Sequence, residues 1–198
     1  GASVQAVIVN SGIANACTGT EGFGYCKDTA KAAAEALGIS ESGVLIGSTG
    51  VIGKQIPIDK LTAGIKELAE KKDNTIANGT EAAKAIMTTD TFEKELAVTI
   101  EAGGRTVTIG GMAKGSGMIH PNMCTMLAFI TTDAVIAKET LQKALSQDIK
   151  DTYNMISVDG DTSTNDTVIL LANGLAENEE IVEGTEDYQK FKEALHTV

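Results

Sequence analysis

The chain has no tryptophan and only four phenylalanines and three tyrosines in 198 residues. Large aromatic side chains therefore cannot dominate its interior, and the core must be built from Ala, Val, Ile, Leu and Met. Cysteine is scarce: Cys17, Cys26 and Cys124 show no CxxC spacing, which suits free thiols in a reducing compartment. Basic residues are outnumbered, 16 against 27 acidic ones, for a formal net charge of −11. A chain this acidic repels phosphate backbones and anionic lipid, so neither nucleic acid nor a membrane surface is expected as a partner. The charge is compatible with a cationic small substrate, although most acidic surfaces serve only solubility. No apolar run approaches membrane-spanning length, and the opening residues do not read as a signal peptide. Val4 to Val9 is already strand-like, so residues are expected before Gly1.

What is present is the composition of an ordinary globular protein, long enough to bury a substantial core in one domain spanning 1–198. Val4–Val9 reads as a buried strand ended by Asn10-Ser11-Gly12. Residues 26 to 37 have the pattern of an Ala-rich helix, with Gly38 placed to cap its C-terminus. Gly43 to Gly47 is a short strand opening into Ser48-Thr49-Gly50, and Leu61, Ile65 and Leu68 fall on one helical face behind Asp59. Ala82 to Met87 reads as helix and runs into the polar turn Thr88-Thr89-Asp90-Thr91. Leu96, Val98 and Ile100 alternate, as do Val107 and Ile109 across Gly103-Gly104, which predicts a hairpin. A strand over 125–131, a helix carrying Leu141, Ala144, Leu145 and Ile149, a strand over 167–171 and a last helix over 188–195 complete the reading. Strands and helices alternate without repeats, so the expected class is α/β or α+β, with mixed sheets covered by helices. The last helix stops at Val198 with no closing strand, and an early end is expected there as well.

Several motifs invite chemistry and fail on spacing. In "GGMAKGSG" (110–117) Lys114 precedes Gly115-Ser116, which transposes the Lys and Gly of a phosphate-binding loop. In "DGDTSTND" (159–166) Asp159, Asp161 and Ser163 alternate as in a calcium loop, but Thr164 stands at the glycine position and Leu170 at that of the bidentate Glu. A polar turn feeding the next strand fits better, and no metal site is expected. His120 and His196 are the only histidines, and His120 lies before Pro121 in what reads as a constrained turn, a poor base for a Ser-His-Asp arrangement.

Thr125 is thus a nucleophile candidate without a partner base. A threonine manages alone if the peptide bond before it is cut, because its own α-amine can then take the hydroxyl proton and return it to a leaving group. That chemistry needs Thr, Ser or Cys at the first residue of a strand, with a tight turn upstream that strains the preceding carbonyl. The stretch "HPNMCTMLAF" (120–129) has this form, with Pro121 and Asn122 as turn formers. A Thr that merely begins a strand has the same local sequence, and spacing alone does not separate the two.

Five blocks occur in order: "AVIVNSGIANACTG" (6–19), "STGVIG" (48–53), "MTTDT" (87–91), "GMAKGSGMIHPNMCTMLAFITTDA" (111–134) and "SVDGDTSTNDT" (157–167). Together they resemble the bifunctional ornithine acetyltransferase/N-acetylglutamate synthase family of arginine biosynthesis, over essentially the whole chain. The resemblance implies an αββα-type layered fold with N-terminal-nucleophile self-processing and cleavage between Cys124 and Thr125. Residues 1–124 would then end an α chain and 125–198 begin a β chain, Thr125 becoming the acyl-accepting nucleophile. Many relatives have Ala before the Thr, where this chain has Cys124. The difference is mild, because that residue contributes mainly its carbonyl.

By the same resemblance Thr49 and Gly50 stabilise the oxyanion, a hydroxyl and a backbone N–H aimed at one developing negative charge. Thr91 and Lys114 match substrate-binding positions; an ammonium suits the carboxylate common to ornithine and glutamate. No role is carried onto Asp159, Asp161 or Asp166. The implied activity is double displacement: acetyl passes from N-acetylornithine to Thr125 and then to glutamate. Acetyl-CoA is a co-substrate in some members, and no metal or prosthetic group is implied. The implied assembly is α2β2, in the cytoplasm. Family members extend beyond both ends, with a further substrate-binding Glu after Val198, so the chain reads as the central portion of a longer enzyme. Two other readings remain: a self-processed N-terminal-Thr amidase or aminopeptidase of related fold, and an inactive central fragment that only binds a partner chain.

Overall fold

The computed structural model describes residues 3–117, 126–160 and 162–198. The chain forms two compact units, 1–92 and 93–198.

The first unit is built on a parallel strand pair, β1 (Ala6–Ile13) and β2 (Val44–Val51), with Ala6 opposite Val44 and Ile13 opposite Val51. Parallel strands need a crossover, and α1 (Gly19–Leu37) supplies it. Its inner face is Ala32, Ala33 and Ala34, packed with Val44 and with Ile65 of α2 (Ile58–Lys71). Gly38 ends α1 in the left-handed conformation, φ 68°, its N–H returning to the Ala34 carbonyl as expected for a glycine cap. A third helix, α3 (Ile76–Ala85), starts at Thr75, whose hydroxyl accepts the Asn78 N–H.

Three sequence expectations need correction here. β1 does not stop at Asn10-Ser11-Gly12, because those residues continue the ladder opposite Ser48, Thr49 and Gly50. α1 begins at Gly19 rather than near residue 26. Glycines 19, 22 and 24 hide its first turns from a propensity reading, yet Gly22 is needed, since a Cβ there would lie 1.9 Å from the Thr18 Oγ1. On α2 the inward stripe passes through Leu61, Ile65 and Ala69, leaving Leu68 to one side and 68% exposed.

The second unit is a four-stranded sheet in the order β3 (Lys94–Ala102), β4 (Arg105–Lys114), β5 (Leu127–Thr132), β6 (Thr167–Ala172). β3–β4 and β4–β5 are antiparallel; β5–β6 is parallel, its crossover containing α4 (Lys138–Asp148). The predicted hairpin is present: Ala102 faces Arg105, and Gly103 and Gly104 turn the chain at φ 56° and 71°, the two positive angles that a two-residue turn of this kind requires. The helix α5 (Glu186–Thr197) lays Phe191 and Leu195 against Val107, Ile109 and Ile130, with Leu141 and Ala144 of α4 in the same core. Its first turn also grips the hairpin, the Asp187 Oδ2 accepting the Gly103 N–H at 2.8 Å.

The turn at Gly103 is the local choice on which this packing rests. Its carbonyl accepts the Glu179 N–H at 3.0 Å, and a Cβ added there would stand 2.4 Å from the Glu179 oxygen. Gly103→Ala is therefore expected to cost more than the ~1–2 kcal/mol of a left-handed L-residue. Gly104→Ala, which meets nothing within 4 Å, should cost only about that amount. Urea denaturation of both variants in the full-length protein reads the difference.

Candidate active site

In the first unit the site candidates sit at the end of the parallel ladder. Ser48 and Thr49 are 2% and 1% exposed in a strand whose neighbours alternate faces. The Ser48 hydroxyl accepts the Asn15 N–H at 2.9 Å, which ties the loop after β1 to β2. The Ala14 N–H adds a bond to the Val51 carbonyl at 3.0 Å. Gly12 and Gly50 face one another across the ladder with φ 99° and 129°. A Cβ on Gly50 would lie 2.2 Å from the Gly12 carbonyl carbon and 2.4 Å from its oxygen. Two backbones thus meet with no side chain between them, beside a buried hydroxyl. That is the local geometry in which an N–H and an O–H can be presented together to a small anion. Thr91, in the bend after α3, is exposed.

In the second unit Lys114 is the last residue of β4 and 2% exposed, the largest of the fully buried side chains. It faces Leu127, the first residue of β5. A buried ammonium requires compensation, and Asp166, the residue before β6, supplies part of it. Burial pushes the Asp166 carboxyl pKa up, while the Met126 N–H and the Lys114 charge act against that shift. The Asp166 Oδ1 accepts the Met126 N–H at 3.0 Å, and the Thr167 N–H donates to the Met126 carbonyl at 3.0 Å. Residues 166 and 167 therefore hold both backbone groups of the residue that follows Thr125.

Of the expected site residues, Thr49, Gly50 and Thr91 belong to the first unit and Lys114 to the second. The predicted nucleophile Thr125, the preceding Cys124, His120 and Asp161 lie outside the described residues. Cys17 and Cys26 are free thiols. Sequence reasoning passed over Gly12, Ser48 and Asp166. The first two were read as turn residues, and Asp166 was one carboxylate among several in an Asp-rich block. Only the ladder register reveals them.

Gly50→Ala is expected to destabilise the protein by roughly 1–3 kcal/mol from backbone conformation alone, with the overlap onto Gly12 in addition. Gly53→Ala, at φ 73° in open space, is the matched comparison in thermal unfolding. Asp166 gives a pH signature. Its folded-state pKa lies above the free value, so the stability it contributes is present below the ordinary carboxylate range and is lost as pH climbs through the raised value. The gap between Asp166→Asn and the parent should therefore shift in favour of Asn across that window, measured by urea unfolding at a series of pH values.

Comparison with known proteins places these features in a family. The family model described as ArgJ family matches residues 1–198. The "Arginine biosynthesis bifunctional protein ArgJ" of Symbiobacterium thermophilum is 53% identical over 195 residues, covering 98% of this chain and 48% of that protein. The protein of the same name from Listeria monocytogenes is 53% identical over 197 residues, covering 100% of this chain and 48% of the relative. Two crystal structures are among the similar solved structures. One is the arginine biosynthesis bifunctional protein argJ of Bacillus halodurans, with 49% identity and a TM-score of 0.56 over 59% of this chain and 60% of that one. The other is ornithine acetyltransferase from Mycobacterium tuberculosis complexed with ornithine, with 44% identity and a TM-score of 0.54 over 59% and 61%. The expected fold class, mixed sheets covered by helices in an ornithine acetyltransferase-like arrangement, agrees with these neighbours. The chain spans about half the length of the curated relatives it matches. By a match that runs from its first residue to its last, this chain belongs to the ArgJ family.

Proposed function

We propose that the full-length protein is a glutamate N-acetyltransferase of arginine biosynthesis, in which this chain supplies the central portion and Thr125 is the nucleophile. The observation that carries the reading is the family match along the whole of 1–198, at 53% identity to relatives named as bifunctional arginine biosynthesis proteins. The Mycobacterium tuberculosis neighbour, solved with ornithine, supports ornithine as the leaving product. The buried Thr49 beside the Gly12–Gly50 pair supports the oxyanion assignment.

The chemistry starts with self-cleavage. The Thr125 hydroxyl attacks the Cys124 carbonyl carbon, the C–N bond breaks as the acyl group moves from nitrogen to oxygen and frees the α-amine, and water then hydrolyses the ester to release the Cys124 carboxylate and restore the hydroxyl. Residues 1–124 become the end of an α chain and 125–198 the start of a β chain, assembled as α2β2 in the cytoplasm. In the transfer step the Thr125 oxygen attacks the acetyl carbonyl of N-acetylornithine while its α-amine takes the proton. Thr49 and Gly50 hold the tetrahedral oxyanion. The C–N bond breaks, ornithine leaves with the proton, and an acetyl ester remains on Thr125. The amine of glutamate, its carboxylate held by Lys114 and its body by Thr91, then attacks the ester and carries acetyl away. Acetyl-CoA can load the same ester in an alternative first half-reaction.

Two measurements on the full-length protein test this. Thr125→Ala should abolish both the mass split at Cys124–Thr125 and ornithine release. Normal processing and turnover in that variant sinks the reading. Thr49→Val should lower kcat by ~100-fold, the scale of one lost oxyanion donor, with a smaller change in KM. Ornithine release at full rate without glutamate would instead point to a hydrolase with water as acceptor.

A further inference from the structure

Past the end of β1 the chain turns back along β2 and is tied to it on both sides of Thr49 and Gly50. After Gly50, the Ala14 N–H donates to the Val51 carbonyl at 3.0 Å and the Gly53 N–H to the Ala16 carbonyl at 2.9 Å. Before Thr49, the Asn15 N–H donates to the Ser48 Oγ at 2.9 Å. Of these bonds only the last uses a side chain, so it is the one that a substitution can remove. Asn15 is anchored in turn, its Nδ2 donating to the Cys26 Sγ on α1 at 3.5 Å. Ser48 thus joins β2 to the crossover helix through a single residue. Between these ties the two main chains meet. Ser11 lies opposite Thr49 and Gly12 opposite Gly50. A Cβ on Gly50 would stand 2.2 Å from the Gly12 carbonyl carbon and 2.7 Å from the Ile13 nitrogen. A shift of residues 14 and 15 would therefore pass to Ile13 and Gly12, and from them directly to Gly50.

We propose that Ser48 is a positioning residue for the oxyanion pair: by holding the Asn15 N–H it keeps the 12–15 segment against β2, and so fixes the Thr49 hydroxyl and the Gly50 N–H in the relative placement that one developing negative oxygen requires. The inference rests on the oxyanion reading of Thr49 and Gly50 given above. Fixed donors stabilise charge because they need not reorient at the moment of reaction. Without the Ser48 oxygen the Asn15 N–H loses this acceptor, and the segment is drawn toward another. An error of about 1 Å in placing a group that meets the reacting atoms costs on the order of a hundredfold in rate. The substrate carbonyl carries its full negative charge only near the transition state, so the loss falls on kcat more than on KM.

The test compares Ser48→Ala, Thr49→Val and the double variant in the full-length protein, with Gly104→Ala in the other unit as a control of lowered stability. The kcat and KM of acetyl transfer from N-acetylornithine to glutamate are measured per processed enzyme, well below every melting temperature. Ser48→Ala should lower kcat by about ten- to thirtyfold, with KM within about twofold of the parent. In the Thr49→Val background the same change should cost no more than about threefold, because one of the donors it positions is already gone. Gly104→Ala should keep the parent kcat. Parent-like kcat in Ser48→Ala overturns the proposal. An equal loss with and without the Thr49 hydroxyl overturns it too, since Ser48 would then act elsewhere. So does a matching loss in Gly104→Ala, which would trace the effect to stability alone. If Ser48→Ala fails to fold or to split, Ser48→Cys, of similar size and a weaker acceptor, takes its place and should show the same coupling to Thr49. Failure of both assigns Ser48 a purely structural part and overturns the proposal. Parent-like kcat in Thr49→Val sinks the oxyanion reading itself, whereas a loss there with none in Ser48→Ala sinks this inference alone.

Discussion

Strand β5 carries the second unit. It lies between β4 and β6, and its residues Leu127, Ala128 and Ile130 are almost completely shielded from water. Burial on both faces leaves it no freedom of register, because a slip of one residue would exchange every contact above and below the sheet. The consequence reaches both of its neighbours. Lys114 is drawn into the interior by its place at the end of β4, and Asp166 is brought to the start of β5 by the parallel pairing with β6. A cation and an anion far apart in sequence come under each other's influence because one apolar strand separates the elements that bear them.

The first unit reaches a comparable result by a different route. There the parallel pairing of β1 and β2 forces glycine opposite glycine, and the absence of side chains brings two main chains closer than any other residue type allows. Ser48 closes the arrangement from one side through the Asn15 N–H. Thr49 is left in a buried setting where a hydroxyl has few orientations, the condition under which a donor can act without first having to order itself.

Much of the architecture was legible from local pattern. The Gly103-Gly104 hairpin, the Gly38 cap and the apolar stripe of α4 all follow from signals contained within a dozen residues. Two of the failures come from pairing with distant chain, and one from close packing within a turn of helix. Asn10-Ser11-Gly12 has the composition of a turn, and only the partner residues 48–50 make it strand. Gly22 in the opening of α1 leaves the space that Thr18 occupies, a requirement invisible in propensities. Asp166 resembled its acidic neighbours until register set it against Met126. Thr49, Gly50, Thr91, Lys114 and Thr125 follow from family resemblance together with chemistry, since spacing by itself favours an ordinary turn, loop or strand start at these positions.

The interior of the first unit is assembled largely from methyl groups, those of Ala32, Ala33 and Ala34 against Val44 and Ile65. The three alanines have almost no volume to give up, so truncation has little to act on at those positions, whereas shortening Val44 or Ile65 would leave a cavity. The vulnerability of the alanines is the inverse. Added methylenes at the alanines would wedge α1 off Val44 and Ile65. Drift at Ala32, Ala33 and Ala34 is thereby closed in one direction: these side chains cannot grow.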